Sequence, residues 1–273
     1  MKKNKSVLLS APYIIFMVIF TLIPLGVVGF YALTDPDTGA FSLRNIRELG
    51  MYMPVLWQSI LYSLVSAFIC LLLGYPVAYY IAQCKPITQK LLYMLVMLPM
   101  CMSFLLRTLA WVGLLQDTGI INNFLDWIGI GRIRMIRTPG AVILGMVYNY
   151  LPYMILPLYA TIVKIDKRLI EAAEDLGCNG VQTFQKVTLP LSMPGILSGI
   201  TMVFVPAVST FYISQKLGGT DTVLIGDVIE RLFKQGNNAN LGAALSLVLM
   251  VLVFVCTGIM NRFGADEEGG VIA

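Results

Sequence analysis

Few side chains in this sequence are equipped for chemistry. There are five cysteines and fifteen Asp or Glu residues, and no histidine at all. The absence of His removes the commonest general base, metal ligand and proton relay. Cys70, Cys84, Cys101, Cys178 and Cys256 form no Cys-x-x-Cys pair, and most sit in apolar runs. There a thiol behaves as a small hydrophobe, so neither a zinc site nor a disulfide framework is expected. No Gly-x-Ser-x-Gly elbow offers a nucleophile, and no Gly-x-x-x-x-Gly-Lys-[Ser/Thr] loop offers a nucleotide cradle. The expectation is a chain with no catalytic residue, no metal and no cofactor of its own.

The densest set of chemically suggestive residues is the stretch 164–190, where Glu171, Glu174, Asp175 and Lys167, Arg168 surround short apolar positions. Asp166 is placed to cap a helix, since its carboxylate can accept the first free N–H groups. Leu169, Ala172, Ala173 and Leu176 recur at helical spacing on one face. Gly177 can take the left-handed conformation that ends such a helix. A second short helix, with Val181, Phe184 and Val187 three apart, leads to Pro190. Two readings fit this pattern. It is a solvated connector on a membrane surface, or its small apolar face lies in the groove of a partner.

The elements that must hold this stretch are apolar. Hydrophobic residues make up 58% of the chain and charged ones 12%, with a mean hydropathy of +0.80. Soluble domains carry about a quarter charged residues, so lipid must be part of the solvent. The net charge of +4 comes from Lys and Arg scattered over short loops, with no basic stripe interleaved with aromatics. That arrangement excludes nucleic acid as a partner and points to the flanks of a membrane protein. Apolar runs at 7–33, 55–83, 91–115, 141–163, 191–214 and 241–260 are each long enough to cross about 30 Å. The first run follows Lys2, Lys3 and Lys5 as a signal peptide would. It is longer than a usual apolar signal core and has no clear cleavage site, so it reads as a retained helix. Six spans place both termini on one side. Lys and Arg count favours the N-terminal side as interior by only ten to eight. Within the runs there is no Asp or Glu, and Arg107 is the one charge. Ion-driven carriers hold ionisable groups in the membrane to relay the coupling ion, so energy for pumping must come from another polypeptide.

The loop also resembles a known motif. Glu171-Ala172-Ala173, then Gly177 three residues on, then Val187-Thr188-Leu189-Pro190 after nine more, is similar to the "EAA" signature of ATP-binding-cassette importer permeases, with Val in place of Ile. The resemblance extends to Leu73-Gly-Tyr-Pro-Val-Ala78, Leu156-Pro-Leu-Tyr159, Thr188-Leu-Pro-Leu-Ser-Met-Pro-Gly195, Phe211-Tyr-Ile-Ser-Gln-Lys-Leu-Gly-Gly219 and Leu224-Ile-Gly-Asp227. In these stretches the chain is most similar to the first permease subunit of spermidine/putrescine importers. It departs from them at Gln215-Lys216, where an acidic residue is expected after the Ser. The resemblance implies an all-α integral membrane protein of the type I ABC importer permease (MetI-like) fold, spanning 1–273 as one permease domain. It implies that 164–190 is a cytosolic coupling loop whose Leu169, Glu171, Ala172, Ala173, Leu176 and Gly177 contact the ATPase. It further implies cytosolic termini in a bacterial plasma membrane, a second homologous permease, two cytosolic ATPase subunits holding ATP and Mg, and an extracellular substrate-binding protein.

A polyamine path should offer aromatic faces and acceptors. Tyr148, Asn149, Tyr150 and Tyr153 near the fourth run, Phe211 and Tyr212 after the fifth, and Asp227 with Asp221 and Glu230 beyond it supply such groups. The tyrosines also fit an interfacial belt, and the outer acids also fit a solvated loop or a docking surface for a binding protein. Arg107 fits a cavity, an anion path or, as the better match, snorkelling from the outer end of its span. Residues 116–140 hold Ile120, Ile121, Phe124, Leu125 and Ile128, which fit a short interfacial helix or part of a binding-protein platform. Competing functions are a permease for iron, thiamine or an anion, a secondary carrier or channel, which the acid-free spans oppose, and an intramembrane enzyme, which lacks a catalytic set.

Overall fold

The computed structural model describes residues 13, 15–35, 39–42, 44–234 and 238–270. Lys2, Lys3, Lys5 and the start of the first apolar run lie outside the described residues. The described chain is helical, with a β-bridge between Thr34 and Phe41. It divides into two compact units, Met1–Pro54 with Val228–Leu252, and Val55–Asp227 with Val253–Ala273.

In the first unit, α1 (Ile15–Ala32) is followed by the short α2 (Arg44–Glu48). Where α1 ends, Asn45 and Asn240 both donate from Nδ2 to the Thr34 carbonyl, at 2.9 and 2.6 Å. A helix end leaves carbonyls without internal partners, and two carboxamides satisfy this one. Most of α1 is exposed, with Phe16, Phe20 and Phe30 facing outward.

The second unit is built around α7 (Pro139–Ile162), of whose apolar window 61% is buried, against 6–33% for the other long apolar helices. Around it stand α3 (Met53–Gln83), α4 (Pro86–Met97), α5 (Phe104–Leu115), α6 (Ile120–Trp127), α8 (Lys167–Asp175), α9 (Gly180–Leu191), α10 (Met193–Val208) and α11 (Tyr212–Leu217). Two further helices, α12 (Ile225–Lys234) and α13 (Ala239–Gly270), follow. Small residues explain the close packing. On α3 the buried line is Ser59, Ser63, Ser66, Ala67, Cys70, Gly74 and Ala78. Ser59 and Ser63 Oγ donate to carbonyls of their own helix, the latter to Ser59 at 2.7 Å, while Ser66 Oγ reaches Met146 Sδ of α7 at 3.4 Å. On α10, a Cβ at Gly199 would stand 2.6 Å from Met154 Sδ and 3.3 Å from the Met154 carbonyl oxygen of α7, so glycine lets the two helices approach closely.

By length and composition, Ile15–Ala32, Arg44–Gln83, Phe104–Trp127, Pro139–Ile162 and Ala239–Met260 can cross a membrane, and Gly180–Leu191 with Met193–Val208 adds a sixth, bent by 63°. The structure corrects the third expected span, 91–115. That run is two helices, because Pro99 lacks an N–H, the chain tightens into a 3₁₀ turn at Leu98–Cys101, and Met102 is extended. The fifth expected span, 191–214, stops helically at Val208, and Phe211 opens the separate α11.

Candidate functional site

The loop between α7 and α10 is fixed at each end of its helix. Asp166 Oδ1 accepts from the Arg168 N–H at 3.0 Å. At the other end Gly177 has φ +85°, with Cys178 N–H donating to the Ala173 carbonyl at 3.0 Å and Gly177 N–H to the Glu174 carbonyl at 2.9 Å. These paired bonds are a Schellman closure, which demands a left-handed residue. Asn179 and Gln182 then form a reciprocal capping box at 2.9 and 3.0 Å that starts α9.

The apolar positions of α8 do not share one environment. Ala173 is buried and Ile170 half-buried, while Leu169, Ala172 and Leu176 are exposed, Leu176 by 87%. At 100° per residue, Leu169, Ala172 and Leu176 form one outward line and Ile170 with Ala173 another, inward one. Glu171 and Gly177 are also exposed. The loop therefore presents a small apolar face outward while its other face holds the fold.

Next to it, α9 turns through a π-helical segment at Phe184–Thr188. That widened turn puts Thr183 and Thr188 inside with Phe184, and leaves Val181 66% exposed. The Phe184 ring meets Tyr75 and Tyr79 of α3 edge-on, with centroids 5.5 and 5.8 Å apart. Tyr75 in turn shares a 2.7 Å hydrogen bond with Ser192, the residue at the bend between α9 and α10. On the same side, Gln89 Nε2 donates to the Ala82 and Cys84 carbonyls at the end of α3, and Tyr159 of α7 donates to Gln89 Oε1 at 3.4 Å.

A second site lies among α5, α7 and the α10–α11 junction. It is a cavity of about 380 Å³ lined by Arg107, Asn149, Tyr150, Tyr153, Thr210 and Tyr212 among others. Asn149 Nδ2 donates to the Gly145 carbonyl of its own helix at 2.9 Å, and Tyr150 Oη donates to the Pro206 carbonyl at 3.3 Å, near the open end of α10. Tyr212 lies 6.3 Å from Phe104 by ring centroid, and Lys216 Nζ stands 5.7 Å over its ring. Arg107 does not snorkel, as the sequence reading favoured; it is 6% exposed and faces this cavity. Its Nε and Nη1, and Asn149 Oδ1, have no hydrogen-bond partner among the described residues.

Of the sequence-predicted path residues, Asn149, Tyr150, Phe211 and Tyr212 come together in this cavity. Tyr148 does not; its ring packs on Trp111 at 5.4 Å. Asp227 does not either. It is buried and its Oδ2 accepts the Leu224 N–H at 3.0 Å, holding the first turn of α12. That turn is tied to α3 where Ile225 N–H donates to Ser59 Oγ at 2.8 Å. Ser209 and Thr210, cavity residues that the sequence reading missed, follow the end of α10, and a helix stop before Phe211 was the only signal for them.

The family described as "Binding-protein-dependent transport system inner membrane component" matches residues 6–265 of this chain. The spermidine/putrescine transport system permease protein PotB of Haemophilus influenzae is 40% identical over 247 residues, covering 87% of this chain and 86% of that protein. PotB of Escherichia coli is 38% identical, covering 87% and 90%. Among solved structures, a bacterial ABC transporter involved in the import of the acidic polysaccharide alginate has a chain with a TM-score of 0.76 at 22% identity, covering 96% of each.

Proposed function

The chain belongs to the binding-protein-dependent transport system inner membrane components, and from that premise we propose that it is the membrane-spanning permease subunit of an ATP-driven importer for spermidine- and putrescine-type polyamines. The observation that carries the coupling half of this reading is the exposed apolar line Leu169, Ala172 and Leu176, held on a helix capped at both ends by Asp166 and Gly177. Such a face docks in a groove of a cytosolic ATPase, which binds ATP and Mg and does the hydrolysis. The permease supplies no catalytic group. Two ATPase subunits, a second homologous permease and an extracellular binding protein complete the assembly, and the termini lie in the cytosol of a bacterium with the coupling loop.

Motion enters through α8 and leaves by two routes. One is the continuous turn through Ser192 into α10, and the other is the Phe184 ring held against Tyr75 and Tyr79 of α3. Tilting the loop thus moves both helices that flank α7, which is what alternating access requires. In the cavity, Tyr150, Tyr153, Phe211 and Tyr212 present ring faces and Asn149 an acceptor, groups suited to an ammonium-bearing chain. A second reading, an importer for an anionic solute, is favoured by one observation, the buried Arg107 in the same cavity.

The deciding experiment is uptake of radiolabelled spermidine by proteoliposomes containing the complete transporter and its binding protein. Uptake that needs ATP inside the coupled compartment and is competed by putrescine supports the reading. Uptake that persists without the ATPase overturns the first half, and competition by an anion but not by putrescine overturns the second.

A further inference from the structure

Arg107 presents a charge that no described residue balances. A guanidinium stays protonated at any physiological pH, and burial without a counter-charge is costly. Its Nε and Nη1 have no acceptor among the described residues, no acidic residue lines the cavity, and no acidic residue occurs in any of the six apolar runs. A polyamine cannot serve, because it carries the same sign. Meanwhile the rim is apolar and open, with Leu105 48%, Phe211 40% and Tyr153 37% exposed. A helix laid across that rim would bring its own side chains to the guanidinium.

We infer that Arg107 is the docking point for a carboxylate in a span of the second permease subunit, so that the cavity is closed by an ion pair between two different chains. The inference rests on the permease reading above and adds a consequence to it. A second copy of this chain has no acid in its six apolar runs to offer, Glu48, Asp117 and Asp126 of its longer helices lying beyond them, so the partner is a different polypeptide. Charge complementarity of this kind fixes register and rejects the wrong partner, here the homodimer. It also neutralises the cavity for a cationic cargo, which resolves the conflict between a buried arginine and a polyamine path.

The test uses the full transporter, with an affinity tag on this chain, and measures how much second permease co-purifies. Arg107→Glu should reach wild-type membrane levels and recover about tenfold less partner. Changing one Asp or Glu in a span of the partner to Arg should restore recovery to that variant and lower it for the wild type. Should Arg107→Glu fail to accumulate, Arg107→Met with the matching acid changed to Leu should recover more partner than Arg107→Met alone. The inference is overturned if the partner's spans hold no Asp or Glu, if Arg107→Glu recovers partner normally, or if no reversal or neutral pair restores recovery, as an anionic lipid headgroup at Arg107 would dictate. Co-purification does not depend on cargo. A wild-type complex that ignores spermidine while the charge swap works sinks the polyamine reading alone, and normal spermidine uptake with a failed swap sinks only this inference.

Discussion

Tyr75 and Phe184 meet edge to face with ring centroids 5.5 Å apart, and this contact joins α9, just after α8, to the C-terminal third of α3. The same Tyr75 reaches Ser192 by its hydroxyl at 2.7 Å, so its ring holds the first residue of the π-helical turn and its hydroxyl the bend that follows. A π-turn is an expensive, rarely used conformation that recurs at functional sites. Here it brings Thr188 to the same buried side as Thr183, five residues earlier. The segment that follows α8 is therefore held by α3 as well as being continuous with α10.

Phe184→Ala should separate docking from transport. The ring is half-buried, so truncation should cost about 2 kcal/mol, below the roughly 3–5 kcal/mol of a fully buried Phe. The exposed face of α8 is untouched, so the ATPase should still co-purify. Uptake should fall about tenfold or more while ATP hydrolysis continues. Retained uptake would show that α10 alone carries the motion. Tyr75→Phe and Ser192→Ala should each cost about 1 kcal/mol in thermal unfolding, and the double variant should cost less than their sum.

Leu176→Glu should do the reverse. Leu176 is 87% exposed and supports nothing in the chain, so stability should move by no more than about 0.5 kcal/mol. A charge at the end of the outward line Leu169, Ala172, Leu176 should abolish ATPase recovery on the tagged permease. Ala173→Glu, on the inward face, should instead destabilise the permease itself. Swapped outcomes for the two variants would mean that the loop docks by its other face.

Gly177 tests backbone chemistry free of packing. With φ +85° and open space around a built Cβ, any cost of substitution is conformational. Asn tolerates the left-handed region, Ala pays about 1–2 kcal/mol, and a β-branched residue pays more. Transport should therefore rank Gly, Asn, Ala, Val, at unchanged membrane levels. Equal transport by Gly177→Val and wild type would remove the Schellman closure from the coupling mechanism.

What the sequence discloses follows how local each feature is. The caps at Asp166 and Gly177 were legible because each depends on one residue and backbone groups a few positions away. The inward turn of Ala173 was not, since the spacing that lines up Leu169, Ala172 and Leu176 also brings Ala173 near their line. The break at Met102 had a visible cause in Pro99, but apolar length outweighed it in the reading of 91–115 as one span. The depth of Arg107 depends on how α5 meets α7 and the α10–α11 junction, contacts between residues more than forty positions apart that no short pattern encodes. Tyr148 and Asn149 are adjacent in sequence yet part company, the one against Trp111 and the other in the cavity, because neighbours on a helix are 100° apart.

Gly226 lies in the Leu224–Asp227 stretch, and its place in the fold gives that stretch a physical task. A Cβ there would stand 2.6 Å from the Thr210 carbonyl oxygen and 2.8 Å from that of Ser209. Those are backbone atoms and cannot rotate away, so Gly226→Ala must displace either the start of α12 or the Ser209–Thr210 segment that lines the cavity. The start of α12 is held by Ile225 N–H on Ser59 Oγ and by Asp227 Oδ2 on the Leu224 N–H, so the cavity wall is the side that yields. Gly226→Ala should consequently cost about 1–3 kcal/mol, as overpacking does, and should lower spermidine uptake with the ATPase still bound. Ser59→Ala frees the Ile225 N–H and lets α12 retreat, so adding it to Gly226→Ala should recover part of the uptake even though Ser59→Ala alone destabilises. Loss of uptake that the second change does not relieve would place the obstruction in α12 and detach the stretch from the cavity.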